Sequence, residues 1–548
     1  MNKYIGGASA FLQGQRNQFW LLALVIGLVY LPFLGSEFFF DDIMFFGEAA
    51  KYYATSWFKF DLRWFPYASL GWSLRIFSDV VPHFFHLGNA LVHFGNVVLL
   101  FVLIRRITEA ALPDAPRTVI ARGALLAALI FAVHPVAVYA VGYVVQRSIL
   151  LATFFGLLMY WAYLRGAFSG EKRWLFLSIV SYFIACFSKE HSALLPAALA
   201  ALAMLLREHN RLTKKALWLV WLSYLGIFML VVLRAKGVFG SPYEAMAAQL
   251  FEQQGIVAGT PMLYLLSVMT QAGLFFKYLF LWLLPNPAWM SVDMREQFIP
   301  GVTAWQGWLG VAAYIAYGAV AFRLLLRGGG KGLVGFALLY PWLLFPIEFS
   351  SIRVQEPFVL YRSYLWMPGV MLLIPFALLR FPRRRTHLAM VAILLLLIPL
   401  SWNRLWVFAD NYRMWDDAAR LLENERVAGA DRIYFNRGQA EMAREKWQPA
   451  AFDFERAVAI SPQLEPIHYI LGVAYANLGR YEDALKQFDL ALAINAKDDR
   501  VYYAKGMVLR GLGRGEEAKQ DMKTSCELGN ALACLILTGE FHRAKAKP

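Results

Sequence analysis

The chain has 548 residues, 59% of them hydrophobic and 17% charged, with a formal net charge of +15 and a mean hydropathy of +0.47. Soluble domains carry about 25% charged residues, so this composition excludes an ordinary soluble enzyme and points to an integral membrane protein. The surplus positive charge falls in short clusters between apolar runs, as in cytoplasmic loops, so no nucleic-acid partner is implied; three cysteines exclude a disulfide-dense scaffold.

The first apolar run, 18–35, follows a basic lead without a small-residue cleavage site and reads as an uncleaved span. Beyond it stands Phe38-Phe39-Phe40-Asp41-Asp42-Ile43. Aromatic residues suit a bilayer interface. Two adjacent carboxylates there repel each other and lose hydration, so they ask for a cation, a proton donor or a task. Arg63-Trp64-Phe65-Pro66 follows, and the run 84–104 opens with His86, Asn89 and His93 on or near one helical face. For these three, hydrogen bonding between helices is the stronger expectation.

Runs at 119–141, 146–164, 174–187 and 191–206 are joined by short polar turns that contain His134-Pro135, Gln146-Arg147 and Ser188-Lys189-Glu190-His191. Cys186 lies in an apolar run and reads as inert. Further runs lie at 216–234, 262–285, 302–322, 332–349, 363–380 and 387–402, with Tyr361-Arg362-Ser363-Tyr364 beside the start of 363–380. Several are shorter than the roughly 20 residues of a perpendicular span.

Five basic clusters decide sidedness: Arg105 to Arg122, Arg165 to Arg173, Arg207 to Lys215, Arg323 to Lys331, and Arg380 to Arg385. With the N-terminus inside and every run crossing, the last two clusters fall outside, against the positive-inside rule. If 262–285 does not cross, all five fall inside. That run carries Gln271 and Lys277 between prolines and is predicted to be a re-entrant or interfacial helix pair. The expectation is eleven spans, with loops 35–82 and 235–300, the polar turns and everything after 402 on the outer side.

After Trp402, a connecting helix over 403–429 is expected. Three self-similar blocks then start at Arg432, Pro466 and Arg500, with Gly438, Gly472 and Gly506 in register, as are Ala450, Ala484 and Ala518, and Phe454, Phe488 and Met522. This is the tetratricopeptide pattern of stacked helix pairs. Small residues let the paired helices approach, and the larger side chain fills the space between them. Cys526 and Cys534 end the third block in a pattern that looks like a Sel1-type repeat, and they can bridge in an oxidising compartment.

The ordered set of motifs resembles membrane glycosyltransferases of the GT-C fold. It is most similar to the transmembrane-and-tetratricopeptide O-mannosyltransferases of animals and their bacterial relatives. The set is the acidic pair, Arg63 in Arg-x-x-Pro, His86-x-x-Asn89-x-x-x-His93, His134-Pro-Val, Ser-Lys189-Glu190 and Tyr361-Arg362-x-Tyr, followed by the repeats. About three repeats are present, fewer than in the animal members, which leaves the acceptor open. The implied architecture is all-α: a GT-C domain over 1–402, a connecting helix over 403–429 and a repeat solenoid over 430–548. The implied reaction is inverting transfer of a sugar from a polyprenyl phosphate to a hydroxyl of an exported acceptor. That acceptor is a protein Ser or Thr, a pilin among the options, held by the repeats on the outer face of an inner membrane. Asp41 or Asp42 would be the base, with Asp41 favoured. Lys189, Arg362, Arg63 and Arg147 would face the lipid phosphate, with Glu190, His86, Asn89, His93, His134 and Tyr361 in support. A divalent cation, Mg²⁺ or Mn²⁺, on Asp41, Asp42 and Glu190 is compatible with these residues, although a monophosphate donor does not require one. Two other readings are an oligosaccharide ligase or lipid-glycan transferase with a diphosphate-linked donor, and a non-catalytic membrane assembly factor.

Overall fold

A computed structural model describes residues 15–538 except 56, 60, 78, 236–239, 243–258, 355 and 382–383. The basic lead, much of the 235–300 loop, and Arg383 therefore lie wholly or partly outside the described residues. The chain divides into two compact units, Met1–Asp410 and Asn411–Pro548. The boundary differs from the expected one: the Arg384–Phe408 helix runs past Trp402, and Asn411–Arg420 is a separate short helix. No connecting helix spans 403–429.

The first unit is helical, with one isolated bridge, Pro242 to Ile352, among the described residues. Among the described residues, eight helices are long and apolar enough to cross a membrane, or nine if the bent pair Arg117–Ala132 and Pro135–Val141 counts as one span. The eleven expected spans are reduced because 190–205 and 367–380 are short and Lys172–Ser188 has 17 residues. The bend of 59° falls at His134-Pro135, where proline removes a backbone donor.

The 262–285 segment is not a helix pair. It lies within one continuous helix, Thr260–Leu283, about 36 Å long at 1.5 Å per residue. This helix runs parallel to the next one, Trp305–Leu326: a Cβ on Gly307 would meet Met269, one on Gly310 would meet Gly273, and Phe276 packs on Tyr317. The intervening chain returns along the helix. Trp289 packs on Phe280, Glu296 pairs with Lys277, and the Ile299 amide donates to Thr270 at 3.1 Å. The return thus runs antiparallel to the helix from Phe280 back to Thr270. Gln271 donates to the Pro357 carbonyl at 2.7 Å, which gives that polar residue a structural partner.

Three helices carry a basic cluster at one end and a polar motif at the other. Pro82–Ala111 has His86 and Asn89 near its start and Arg105-Arg106 near its end. Arg147–Ser169 starts on Arg147 and reaches Arg165 in its last turns. Lys172–Ser188 starts on Lys172-Arg173 and leads directly into Lys189. Contacts gather the other clusters at the same end. The Arg211 amide donates to Ala167 at 2.8 Å, one cavity is lined by Ala110, Arg207, His209 and Gly328, and Gly330 packs against Phe376 and Leu112.

The second unit is a series of packed helix pairs: Ala430–Met442 with Trp447–Ile460, Glu465–Asn477 with Tyr481–Ile494, and Asp499–Gly511 with Gly515–Glu527. The in-register residues act as the spacing implied. A Cβ on Gly438 would lie 2.7 Å from the Phe454 ring, one on Gly472 2.5 Å from Phe488, and one on Gly506 3.1 Å from Met522. Ala450, Ala484 and Phe488 are fully buried in the shared core. Gly472→Val is therefore expected to destabilise the full chain by about 1–3 kcal/mol through overpacking. Thermal unfolding with cleavage mapped to 411–538 reads this, and an unchanged profile would show that the helices part without cost. Cys526 and Cys534 form a disulfide that joins the last pair to the short Ala531–Leu537 helix.

Candidate functional site

The site lies at the end of the first unit opposite the basic clusters. The aromatic run packs inward: Phe39 stacks on Tyr143 with centroids 5.0 Å apart and meets Phe408 edge-on at 5.3 Å. Phe40 then turns the chain with φ +51°, a conformation that costs a non-glycine residue roughly 1–2 kcal/mol. That turn starts the short helix Asp41–Met44 and separates the two acids. Asp41 is exposed, and its amide donates to the Tyr143 hydroxyl at 3.1 Å. Asp42 is fully buried; its carboxylate accepts from the Val145 amide at 2.7 Å and the Val144 amide at 3.3 Å. Asp42 thus ties the helix to the start of Arg147–Ser169, while the Asp41 side chain faces outward.

Burial pushes the Asp42 carboxyl up to about 8, opposed by the Val145, Val144 and Phe39 amides and aided by the Asp41 charge. The unfolded chain ionises this group near its ordinary 3.8, the folded chain near 8. Between those values the folded state holds the extra proton, so stability falls as pH rises. The thermal midpoint of the wild type is expected to drop between about pH 5 and pH 8, and Asp42→Asn, which cannot titrate, to drop less. Equal slopes would contradict this assignment.

Around Asp41 the structure gathers five of the other candidates. Arg63, also held at positive φ (+67°), donates through Nε to Glu190 at 3.0 Å and through a second nitrogen to the other carboxylate oxygen. Tyr67, one turn on, stands in the fields of Arg63, Glu190 and Asp41. Lys189 is buried; it donates to Gln146 at 3.2 Å and lies 5.2 Å from the Tyr361 ring centre. Tyr361 in turn meets Tyr143 edge-on at 6.2 Å. Arg362 is buried and donates to Glu348 at 2.9 Å.

Two of the site's members lie outside the expected set, His191 and Glu348. His191 Nε2 is 2.9 Å from Glu348, and its Nδ1 lies 3.6 Å from Glu190. Arg63, Glu190, His191, Glu348 and Arg362 therefore form one chain of alternating charge potential. His191 stood beside Lys189-Glu190 in the sequence; Glu348 ends an apolar run and carried no motif, so only its isolation as an acid in that run could have marked it.

Electrostatics follow from this packing. Burial alone would raise the Glu190 carboxyl, but the Arg63 guanidinium, His191 and Lys189 outweigh it and hold the group well below its usual range. Burial lowers the Lys189 ammonium, and the Arg63, Arg362 and Arg353 charges lower it further, leaving it well below its usual range despite Glu190. Lys189 is thus a desolvated group whose charged form an arriving anion would favour.

The phosphate-facing role expected of Arg147 is corrected, while His86, Asn89 and His93 make the bracing hydrogen bonds that are the stronger expectation for them. Arg147 does not face the site: its three nitrogens donate to Asn89 at 2.9 Å, the Phe85 carbonyl at 2.9 Å and Ser69 at 3.5 Å. His86 contacts the Ser36 carbonyl, Asn89 donates to three carbonyls between Val141 and Val144, and His93 bridges Tyr364 and the Ala132 carbonyl. His134 accepts from the Val136 amide and meets the Trp282 carbonyl at 3.0 Å. These are braces between segments. Asp41, Asp42 and Glu190 do not converge: Asp42 is engaged by amides and Glu190 by Arg63, and no group of three His, Cys, Asp or Glu among the described residues is placed to hold a metal ion.

Comparison with known proteins finds the tetratricopeptide repeat at residues 441–508 and again at 499–528. No curated protein matches. Among solved structures, the second tetratricopeptide domain of Spaghetti (RPAP3), bound to an HSP90 peptide, is 23% identical and covers 18% of this chain and 91% of its own, with a TM-score of 0.18. The Sgt2 domain from Aspergillus fumigatus is 20% identical over 22% of this chain and 84% of its own, at 0.19. YrrB, a tetratricopeptide protein, is 19% identical over 30% and 91%, at 0.23. The C-terminal unit is a tetratricopeptide repeat domain on an all-helical chain.

Proposed function

We propose that this chain is a membrane glycosyltransferase of the GT-C type that moves a sugar from a polyprenyl phosphate to a hydroxyl of an exported protein. The observation that carries the reading is the cationic set of Lys189, Arg63 and Arg362 at the end opposite the basic clusters, with the exposed Asp41 linked to it through its amide on Tyr143, Tyr361 and the Lys189 contact with that ring. On this reading the basic end is cytoplasmic and the site faces outward.

The acceptor oxygen attacks the anomeric carbon, and its proton passes to Asp41. The bond from that carbon to the phosphate oxygen breaks with its electron pair, and the lipid phosphate leaves with added charge. Cations aimed at that oxygen lower the barrier. Lys189 is the nearest fit, since it is buried with no carboxylate among the described residues hydrogen-bonded to it and a phosphate would favour its charged form. Arg63, about a third exposed, is the second. Arg362 acts from behind, because Glu348 already engages it. The repeats hold the acceptor, as concave helical solenoids do.

The test is the intact mass of exported proteins from cells with and without the chain. A sugar increment that disappears with the chain is expected. Identical masses in both would contradict the reading.

A further inference from the structure

The basic end holds a cavity of about 600 Å³ that the proposed reaction does not use. It lies between the Gln15–Tyr30, Pro82–Ala111 and Arg147–Ser169 helices. Arg105, Arg106 and Arg165 converge on it, with walls from Phe19, Trp161 and Phe168. Arg105 has a carboxylate partner, Glu109 at 2.9 Å. Arg106 and Arg165 have none among the described residues, and their like charges act on each other. Both are held on aromatic faces instead: Arg106 lies 5.3 Å from the Phe168 centre, and Arg165 4.4 Å from Trp174.

Three guanidiniums against one carboxylate leave an excess of two positive charges at the cavity, with Arg105 and Arg106 half-buried and Arg165 exposed. Like charges that act on each other in this way favour an anion between them. The planar forks, fixed by their rings, suit the oxygens of a phosphoryl group. Apolar walls suit what is attached to it. The Gln15–Tyr30 helix that closes the cavity also exposes Trp20, Leu24 and Leu28, an apolar face for acyl chains.

We propose that this cavity binds a phosphoryl group, supplied by the headgroup of an anionic lipid in the leaflet at the basic end. The lipid source rests on the membrane reading above; the binding does not depend on sugar transfer. Retention of phosphatidylglycerol and phosphatidylcholine by the full chain in detergent, read by native mass spectrometry, tests it. The wild type is expected to retain phosphatidylglycerol preferentially, and Arg106→Gln/Arg165→Gln to bind it roughly 30-fold more weakly, with phosphatidylcholine unchanged. Equal retention by both proteins overturns the proposal. Should the double variant fail to fold, a photoactivatable phosphatidylglycerol on the wild type serves instead: cross-links within 101–110 and 161–168 support the site, and their absence overturns it. A third arm uses inorganic phosphate; thermal stabilisation by phosphate without lipid preference overturns the lipid source and leaves a soluble phosphate site.

Discussion

Asp41→Asn is expected to abolish transfer while leaving the fold intact, and Asp42→Asn to do the reverse. The two residues are adjacent in sequence and opposite in environment. Asp41 is exposed and its side chain supports nothing in the fold, so replacing one oxygen removes the base alone. Loss of a positioned base costs typically 10²–10⁴-fold in rate. Asp42 presents one oxygen to each of two backbone amides. An asparagine keeps one acceptor and turns an NH₂ toward the other amide, which leaves a buried donor unpaired at a cost of about 1–3 kcal/mol. Turnover and thermal midpoint measured on both variants separate the roles. A stable, inactive Asp42→Asn beside an active Asp41→Asn would exchange the assignments.

Glu348→Gln is expected to be the most damaging single change in the first unit. Its carboxylate is fully buried and stands between His191 and Arg362, each at 2.9 Å. Burial opposes the Arg362 charge, but Glu348 outweighs burial and keeps the guanidinium charged. Without the acid that charge loses its ion-pair partner and keeps only the weaker field of Glu356, and breaking such a buried pair costs about 3–5 kcal/mol. Glu190→Gln is the control. Its pair with Arg63 is 20–30% exposed, so solvent screens it and the loss is expected to be about 1 kcal/mol or less. Thermal unfolding should therefore show a large fall for Glu348→Gln and a small one for Glu190→Gln. Equal falls would mean that the five residues do not act as a graded chain from surface to core.

The repeats were the most legible part of the sequence, because each glycine, alanine and aromatic has one geometric task repeated three times. Gly472 against Phe488 states that task in a single contact. The polar motifs were legible as positions but less so as roles. Arg147 and Lys189 both sit at short turns between apolar runs, and composition alone treats them alike. Packing separates them, since Asn89 and Phe85 engage Arg147 away from the site, whereas Lys189 meets the Gln146 amide oxygen, the Ser148 hydroxyl and the Tyr361 ring. Charge counting led to the expectation of a helix pair over 262–285, and the structure has one continuous helix there. Hydropathy sees a helix of spanning length and cannot see that an extended return follows it. Glu348 was missed because a single acid in an apolar run has no spacing to read.

Release of labelled polyprenyl phosphate from a polyprenyl-phosphate sugar, by membranes carrying the full chain with exported acceptor present, tests the central claim most directly. Release is predicted for the wild type, with matching gain of sugar by the acceptor, and only background release for Asp41→Asn at equal protein level. Equal release by both would contradict the assignment of Asp41 as the base, and no release by either would contradict sugar transfer itself.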